Sequence, residues 1–247
     1  MREECVGRKI KSPGTLMQPR REIMGQPYKI FEDIYLVGGS DVSHSMDCCV
    51  YLIDAGDLVL IDSGAGKSTD RIIDNIKTLG FEPDKLSTVM VTHAHIDHIG
   101  ALHDLKQKYG TKIIAHKDDV KAIVTGEKVG AEYYGVKYKP CMVDIILEGE
   151  DTSIKIGQHD FEFIHIPGHT PGSIAIVLDI GGESILFGQD IHGPYSAEWG
   201  GDPEKAIKSL KVMQDINADM LCEGHYGIIK PAAKVREFIQ GFISELG

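Results

Sequence analysis

The chain has 247 residues, 42% of them hydrophobic, which is enough for one domain to bury a large core. Its formal net charge of −11 excludes an extended cationic face of the kind a nucleic-acid backbone requires, so no nucleic-acid partner is expected. No apolar run is long enough to span a bilayer, and five cysteines without a CxxC pattern read as reduced thiols of a cytoplasmic protein.

Residues 1–27 hold Arg2, Arg8, Lys9, Lys11, Arg20 and Arg21 among Pro13, Pro19 and Pro27, and lack the apolar stretch of a secretion signal. They read as a flexible arm, with a clasp in a homodimer or a cover over a site as alternatives. From Tyr28 the pattern predicts strands over 28–37, 49–54 and 58–62, a helix over 67–79 and a strand over 88–91. Cys48 and Cys49 are adjacent at the edge of a strand, so their side chains point to opposite faces and read as packing residues. A helix over 98–109, a strand over 112–115 and a helix over 117–124 follow. Residues 125–144, with Tyr133, Tyr134, Tyr138 and Met142, read as a mobile aromatic wall or as an ordinary surface connection. Strands then recur near 145–147, 152–156, 160–166, 173–178 and 183–187, with helices near 203–215 and 231–245.

The chemistry is concentrated where strands end. Behind the apolar run Leu86–Val91 stands Thr92-His93-Ala94-His95-Ile96-Asp97-His98, three imidazoles and a carboxylate in six residues. Imidazole is the commonest protein ligand for zinc, and a neighbouring carboxylate supplies charge that a divalent cation can use. His93 and His95, two apart on a turn, can point to one side, while Asp97 and His98 fall where a helix begins and can face a second position, which suggests two metals. Three further strand ends carry donors. The strand 161–166 runs into Pro167-Gly168-His169-Thr170-Pro171-Gly172, the strand 184–187 into Gly188-Gln189-Asp190, and the run 219–221 towards Glu223-Gly224-His225. Cys222, three residues before His225, reads as a strand-core residue.

In that order, HxHxDH, PGHTPG, a strand ending in Asp and a late GH, the chain resembles the metallo-β-lactamase superfamily over residues 28–247. The resemblance implies an α/β four-layer αββα sandwich built from two pseudo-symmetric halves, with the catalytic domain spanning 28–247. It implies one metal held by His93, His95 and His169, another by Asp97, His98 and His225, and Asp190 bridging them. The cofactor would be two divalent metal ions, zinc before iron or manganese, sharing a hydroxide that Asp97 orients or deprotonates. The resemblance also implies that Asp62, ending its strand on the same rim, supports the metal loop, against the alternative of a solvent-exposed helix cap. In similar lactonases a tyrosine shortly after the bridging aspartate faces the reacting carbonyl. Tyr195 is the counterpart here at a longer spacing, and His192 is a further candidate.

Departures within the superfamily narrow the activity. Zinc β-lactamases of one type carry cysteine where this chain has Asp190, and those of another type lack the bridging aspartate, so antibiotic hydrolysis is not expected. The glyoxalase II, lactonase and RNA-processing branches are closer, but the negative charge disfavours RNA, and the chain ends about twenty residues after His225, too soon for the usual helical substrate domain of glyoxalase II. The function expected is hydrolysis of an ester, lactone, thioester or related bond in a small-molecule substrate. An iron-dependent redox enzyme of the persulfide dioxygenase kind is the alternative.

Overall fold

The computed structural model describes residues 25–149 and 151–247, so all but the last three residues of the N-terminal arm lie outside the described residues. Two sheets form the centre. The first contains β1 (Tyr28–Phe31), β2 (Ile34–Gly38), β3 (Val50–Asp54), β4 (Leu58–Ile61), β5 (Leu86–Met90), β6 (Lys112–His116) and β7 (Ile145–Leu147), in that spatial order. Its first four strands pair antiparallel and its last four parallel. The second contains β8 (Asp151–Ile156), β9 (His159–His165), β10 (Ile174–Ile180), β11 (Glu183–Phe187), β12 (Met220–Glu223) and β13 (Gly227–Ile229), also in chain order, with a parallel pair only between β11 and β12.

Period-two alternation decides what each strand buries. On β3, Tyr51 and Ile53 enter the core between the sheets, while Val50 and Leu52 face the helix layer. Phe161 and Phe163 of β9 fill the inter-sheet core with Phe187 of β11, and the alternating Asp160 and Glu162 are exposed. Outside the first sheet pack α1 (Thr69–Thr78), α3 (Leu102–Tyr109) and α4 (Lys117–Thr125), through Ile72, Ile76, Leu102, Leu105 and Ile123. Outside the second pack α5 (Pro203–Asp215) and α6 (Ala232–Leu246), through Leu210, Met213, Val235 and Ile239. Three apolar layers thus separate four layers of structure, the αββα sandwich that the motif pattern implies.

Three local readings are refined. The strand expected over 28–37 is a hairpin, because Glu32 turns into the left-handed region (φ 37°) and Asp33 follows before β2 begins. The helix expected over 98–109 is two pieces, α2 (Ile96–Ile99) and α3, separated at Gly100-Ala101. There the chain crosses the β4–α1 loop so closely that a Cβ on Gly100 would lie 2.2 Å from the carbonyl carbon of Ala65. After His225 the chain returns as β13 beside β12, a strand too short to stand out in the sequence. Both thiols beside β3 are buried as packing residues, Cys49 between the sheets and Cys48 on the helix side, and Cys222 also faces the inter-sheet core.

Candidate metal centre

The donor-bearing loops leave the two sheets at one rim. His93 and His95 follow β5 of the first sheet, with Asp97 and His98 in the single turn of α2. The second sheet contributes His169 from the β9–β10 loop, Asp190 after β11 and His225 between β12 and β13. A backbone bond ties the loops across the seam, Ile174 N–H donating to the Thr92 carbonyl at 2.9 Å.

All seven residues expected as metal ligands come together. Donor atoms of His93, His95 and His169 lie within 4.8 Å of one another, and so do those of Asp97, His98, Asp190 and His225. Asp190 stands between the groups: its Oδ2 is 3.5 Å from His169 Nε2, 3.8 Å from His93 Nε2 and 3.3 Å from His225 Nε2. Its Oδ1 is 3.2 Å from His98 Nε2. Asp97 Oδ2 lies 3.1 Å from His225 Nε2.

The hydrogen bonds behind the rings fix which nitrogen carries the proton. His98 Nδ1 lies 2.7 Å from Asp62 Oδ2 and His169 Nδ1 lies 2.9 Å from the Pro194 carbonyl, and both partners can only accept. Thr92 spends its hydroxyl proton on Asp62 Oδ2 at 2.7 Å, so it accepts from His93 Nδ1 at 3.1 Å. The Nε2 atoms of His93, His98 and His169 are therefore left with lone pairs aimed inward. His93 and His169 bring two such lone pairs to 3.1 Å, and buried His95 Nε2, His98 Nε2 and Asp190 Oδ1 have no hydrogen-bond partner among the described residues. Buried acceptors turned on one another are costly unless a cation lies among them, so this donor set fits divalent metal ions.

The electrostatics divide the donors, because Cys48 and the carboxylates of Asp190, Asp62 and Asp97 raise buried His98 well above the ordinary histidine range while the histidines of the other group are lowered. Burial pushes His95 down to about 4 and His169 down to about 3, keeping both neutral as ligands must be. His225 moves the other way against its burial, up to about 10, because it bonds to Asp190 and Asp97. Two carboxylates thus draw positive charge to this spot.

Asp62 is buried and accepts from Thr92 N–H at 2.8 Å besides Thr92 Oγ1 and His98, so it braces the metal loop and is no solvent-exposed cap. Two other buried carboxylates do comparable work and were not apparent in the sequence. Asp119 of α4 takes Ala94 N–H at 2.9 Å, between His93 and His95, and also Thr170 Oγ1 at 2.7 Å and Gly172 N–H at 2.9 Å beside His169. Glu223 takes His225 N–H at 2.6 Å, Tyr226 N–H at 2.8 Å, Ile191 N–H at 3.0 Å and His192 Nδ1 at 2.9 Å, fixing the Asp190 and His225 turns together. An acidic pair at a helix start and a Glu two residues before a His were the only hints, and each has an ordinary explanation.

A cleft of about 260 Å³ opens over the donors, lined by His95, Asp97, Tyr134, His192, Trp199 and His225 with Val129, Gly130, His169, Asp190, Gly193 and Pro194. Larger depressions, of about 580 Å³ beside β8–β10 and about 530 Å³ between α1 and α3, carry none of these donors. Loop 125–144 does wall the site. Tyr134 donates to Asp97 Oδ2 at 3.0 Å, and burial together with that carboxylate pushes its phenol above the ordinary tyrosine range. The Tyr195 hydroxyl instead donates to the Ile191 carbonyl and its ring stands edge-on to His169, so it does not line the cleft. His44, in the 38–47 loop, accepts from Met46 N–H and is not part of the lining.

Residues 47–225 match the sequence profile of the metallo-beta-lactamase superfamily. The chain belongs to that superfamily. It is 29% identical over 132 residues to hydroxyacylglutathione hydrolase GloC of Haemophilus influenzae, a match covering 53% of this chain and 60% of that protein. It is also 29% identical over 157 residues to an N-acyl homoserine lactonase of Bacillus thuringiensis, covering 60% of this chain and 57% of the lactonase. The alignments thus span little more than half the length of these relatives. BJP-1, a subclass B3 metallo-beta-lactamase of Bradyrhizobium japonicum, has the same fold, with a TM-score of 0.78 at 20% identity over 91% of this chain and 93% of that one. No helix among the described residues is long and apolar enough to cross a membrane.

Proposed function

We propose that this metallo-beta-lactamase superfamily member is a hydrolase holding two divalent metal ions, zinc before iron or manganese, and cleaving an ester, lactone or thioester bond in a small molecule. The observation that carries the reading is the Asp190 carboxylate, whose two oxygens face both donor groups, as a ligand shared by two cations would. His93, His95 and His169 would hold one ion and Asp97, His98 and His225 the other. Zinc ions so held would acidify bound water to a pKa of ~7 and would polarise the oxygen of the group under attack, so no serine or cysteine nucleophile would be needed.

The protein's own part is orientation and exclusion. Asp97, bonded by Tyr134 and His225, is the carboxylate in the cleft that can orient an attacking water or take its proton. Trp199, Val129 and Pro194 give the wall its apolar surface, and among the described residues neither lysine nor arginine lines the cleft. That lining suits an uncharged acyl group better than a phosphodiester, whose recognition leans on cationic side chains. Relatives named as an acylglutathione hydrolase and a lactonase support the same bond types.

Elemental analysis of protein purified without added metal tests the reading, followed by an ester, lactone and thioester panel. About two zinc or manganese ions per chain with turnover of at least one class supports it. About one iron per chain with dioxygen uptake on a persulfide would replace it with the redox alternative.

A further inference from the structure

Among the described side chains that line the cleft, only Tyr134 carries a hydroxyl. Its single hydrogen bond goes to Asp97 Oδ2 at 3.0 Å, the oxygen that also faces His225 Nε2 at 3.1 Å. The loop is pinned around it by contacts that leave the hydroxyl untouched. Lys67 Nζ donates to the Tyr134 carbonyl at 2.8 Å, Ile96 N–H donates to the Val129 carbonyl at 2.7 Å, and Tyr133 donates to Glu198 at 3.0 Å while its ring stands 5.2 Å from Trp199. A neutral donor is thus delivered on a braced backbone, with only side-chain torsions left free, to the edge of the donor cluster.

Resting on the hydrolase reading, we propose that Tyr134 is a catalytic residue: its O–H turns from Asp97 Oδ2 to the acyl oxygen of the substrate, which gains negative charge as the carbonyl is attacked. No proton is transferred in this role; the phenol keeps its hydrogen and exchanges one anionic acceptor for another. Asp97 Oδ2 keeps His225 Nε2 at 3.1 Å and so loses little when the phenol leaves it, whereas the oxyanion concentrates its charge on one oxygen and gains more, a difference realised only as that oxyanion forms. Tyr195 is already committed to the Ile191 carbonyl and has no such freedom.

The test compares the full-length wild-type protein with Tyr134→Phe, both loaded with zinc. It reads zinc content, kcat and KM on p-nitrophenyl acetate and an acyl lactone, and calorimetric affinity for methylphosphonate, a tetrahedral anion resembling the attacked acyl centre. Zinc content and KM are expected to hold, kcat to fall by about 10²-fold, and methylphosphonate to bind roughly tenfold more weakly. Unchanged kcat and unchanged methylphosphonate affinity would overturn the proposal. So would a variant that loses zinc, because the hydroxyl would then serve only to orient Asp97. A wild-type protein that takes up zinc yet hydrolyses neither substrate would sink the hydrolase reading itself, a failure visible before any variant is made.

Discussion

Gly224 shows how little room separates the ligands from the backbone that carries them. A Cβ at this position would lie 2.1 Å from Asp190 Oδ1 and 3.2 Å from His98 Cε1, so no side chain can be added without moving the Asp190 carboxylate. Gly224→Ala is expected to fold and to lose at least one bound metal per chain, read by elemental analysis after gel filtration; full metal occupancy would contradict the close approach. Asp62 acts one bond further out. Asp62→Ala removes the acceptor of His98 Nδ1 and of Thr92, and metal affinity is expected to fall 10–100-fold in a chelator competition, the usual cost of losing such a partner. At this scale the clustered donors were legible because each is flanked by its own signal: HxHxDH behind an apolar run, PGHTPG, an aspartate at a strand end, and a Gly-flanked histidine. Tyr134 was not, since a tyrosine in a loop of three tyrosines has no pattern that says which one reaches Asp97.

The elements matter through what their ends hold. α4 lies outside the first sheet, yet Asp119 in its first turn clamps the Ala94 backbone of one metal loop and Thr170 and Gly172 of the other. Asp119→Ala leaves two buried N–H groups without acceptors. A loss on the order of 3 kcal/mol is expected in urea unfolding of the metal-free protein, together with weaker metal binding. A loss below about 1 kcal/mol would show that the two loops hold their places without the clamp. The sequence marks α4 as a helix and places an acidic pair at its start, but a helix dipole accounts for such a pair equally well. The two-piece helix after the metal loop has the same origin. Its apolar periodicity runs through residues 98–109, and only the crossing of Gly100 over Ala65 and Gly66 interrupts it.

At the scale of the molecule, the donors are divided between the two sheets: four follow β5 and three come from the ends of the second sheet. Metal ions held among them would cross-link the halves, so removing metal should loosen the whole sandwich and not the rim alone. Thermal unfolding is expected to shift downward on exhaustive chelation and to recover with zinc; a ligand at a hundredfold excess over its Kd adds about 2.7 kcal/mol. The single tryptophan offers an optical report, because Trp199 stands edge-on to His95 with ring centroids 5.6 Å apart. Cobalt(II) titration is expected to quench its emission saturably at the stoichiometry of binding, and an unquenched Trp199 with cobalt bound would place the metal elsewhere.

By itself, the order of strands, helices and donor-bearing strand ends, with the family resemblance it carries, pointed to the layered architecture and to the seven candidate donors. Alternation and ligand motifs are local properties, legible from neighbours a few residues apart. Only the tertiary structure decided that Asp119 and Glu223 carry the loops and that Tyr134 rather than Tyr195 offers its hydroxyl to the cleft. Those outcomes depend on which groups meet across the seam between two sheets, with partners as distant in sequence as the Tyr51 hydroxyl and the Glu223 carbonyl, 172 residues apart. Contacts of that range are set by the packing of whole layers, and no local pattern encodes them.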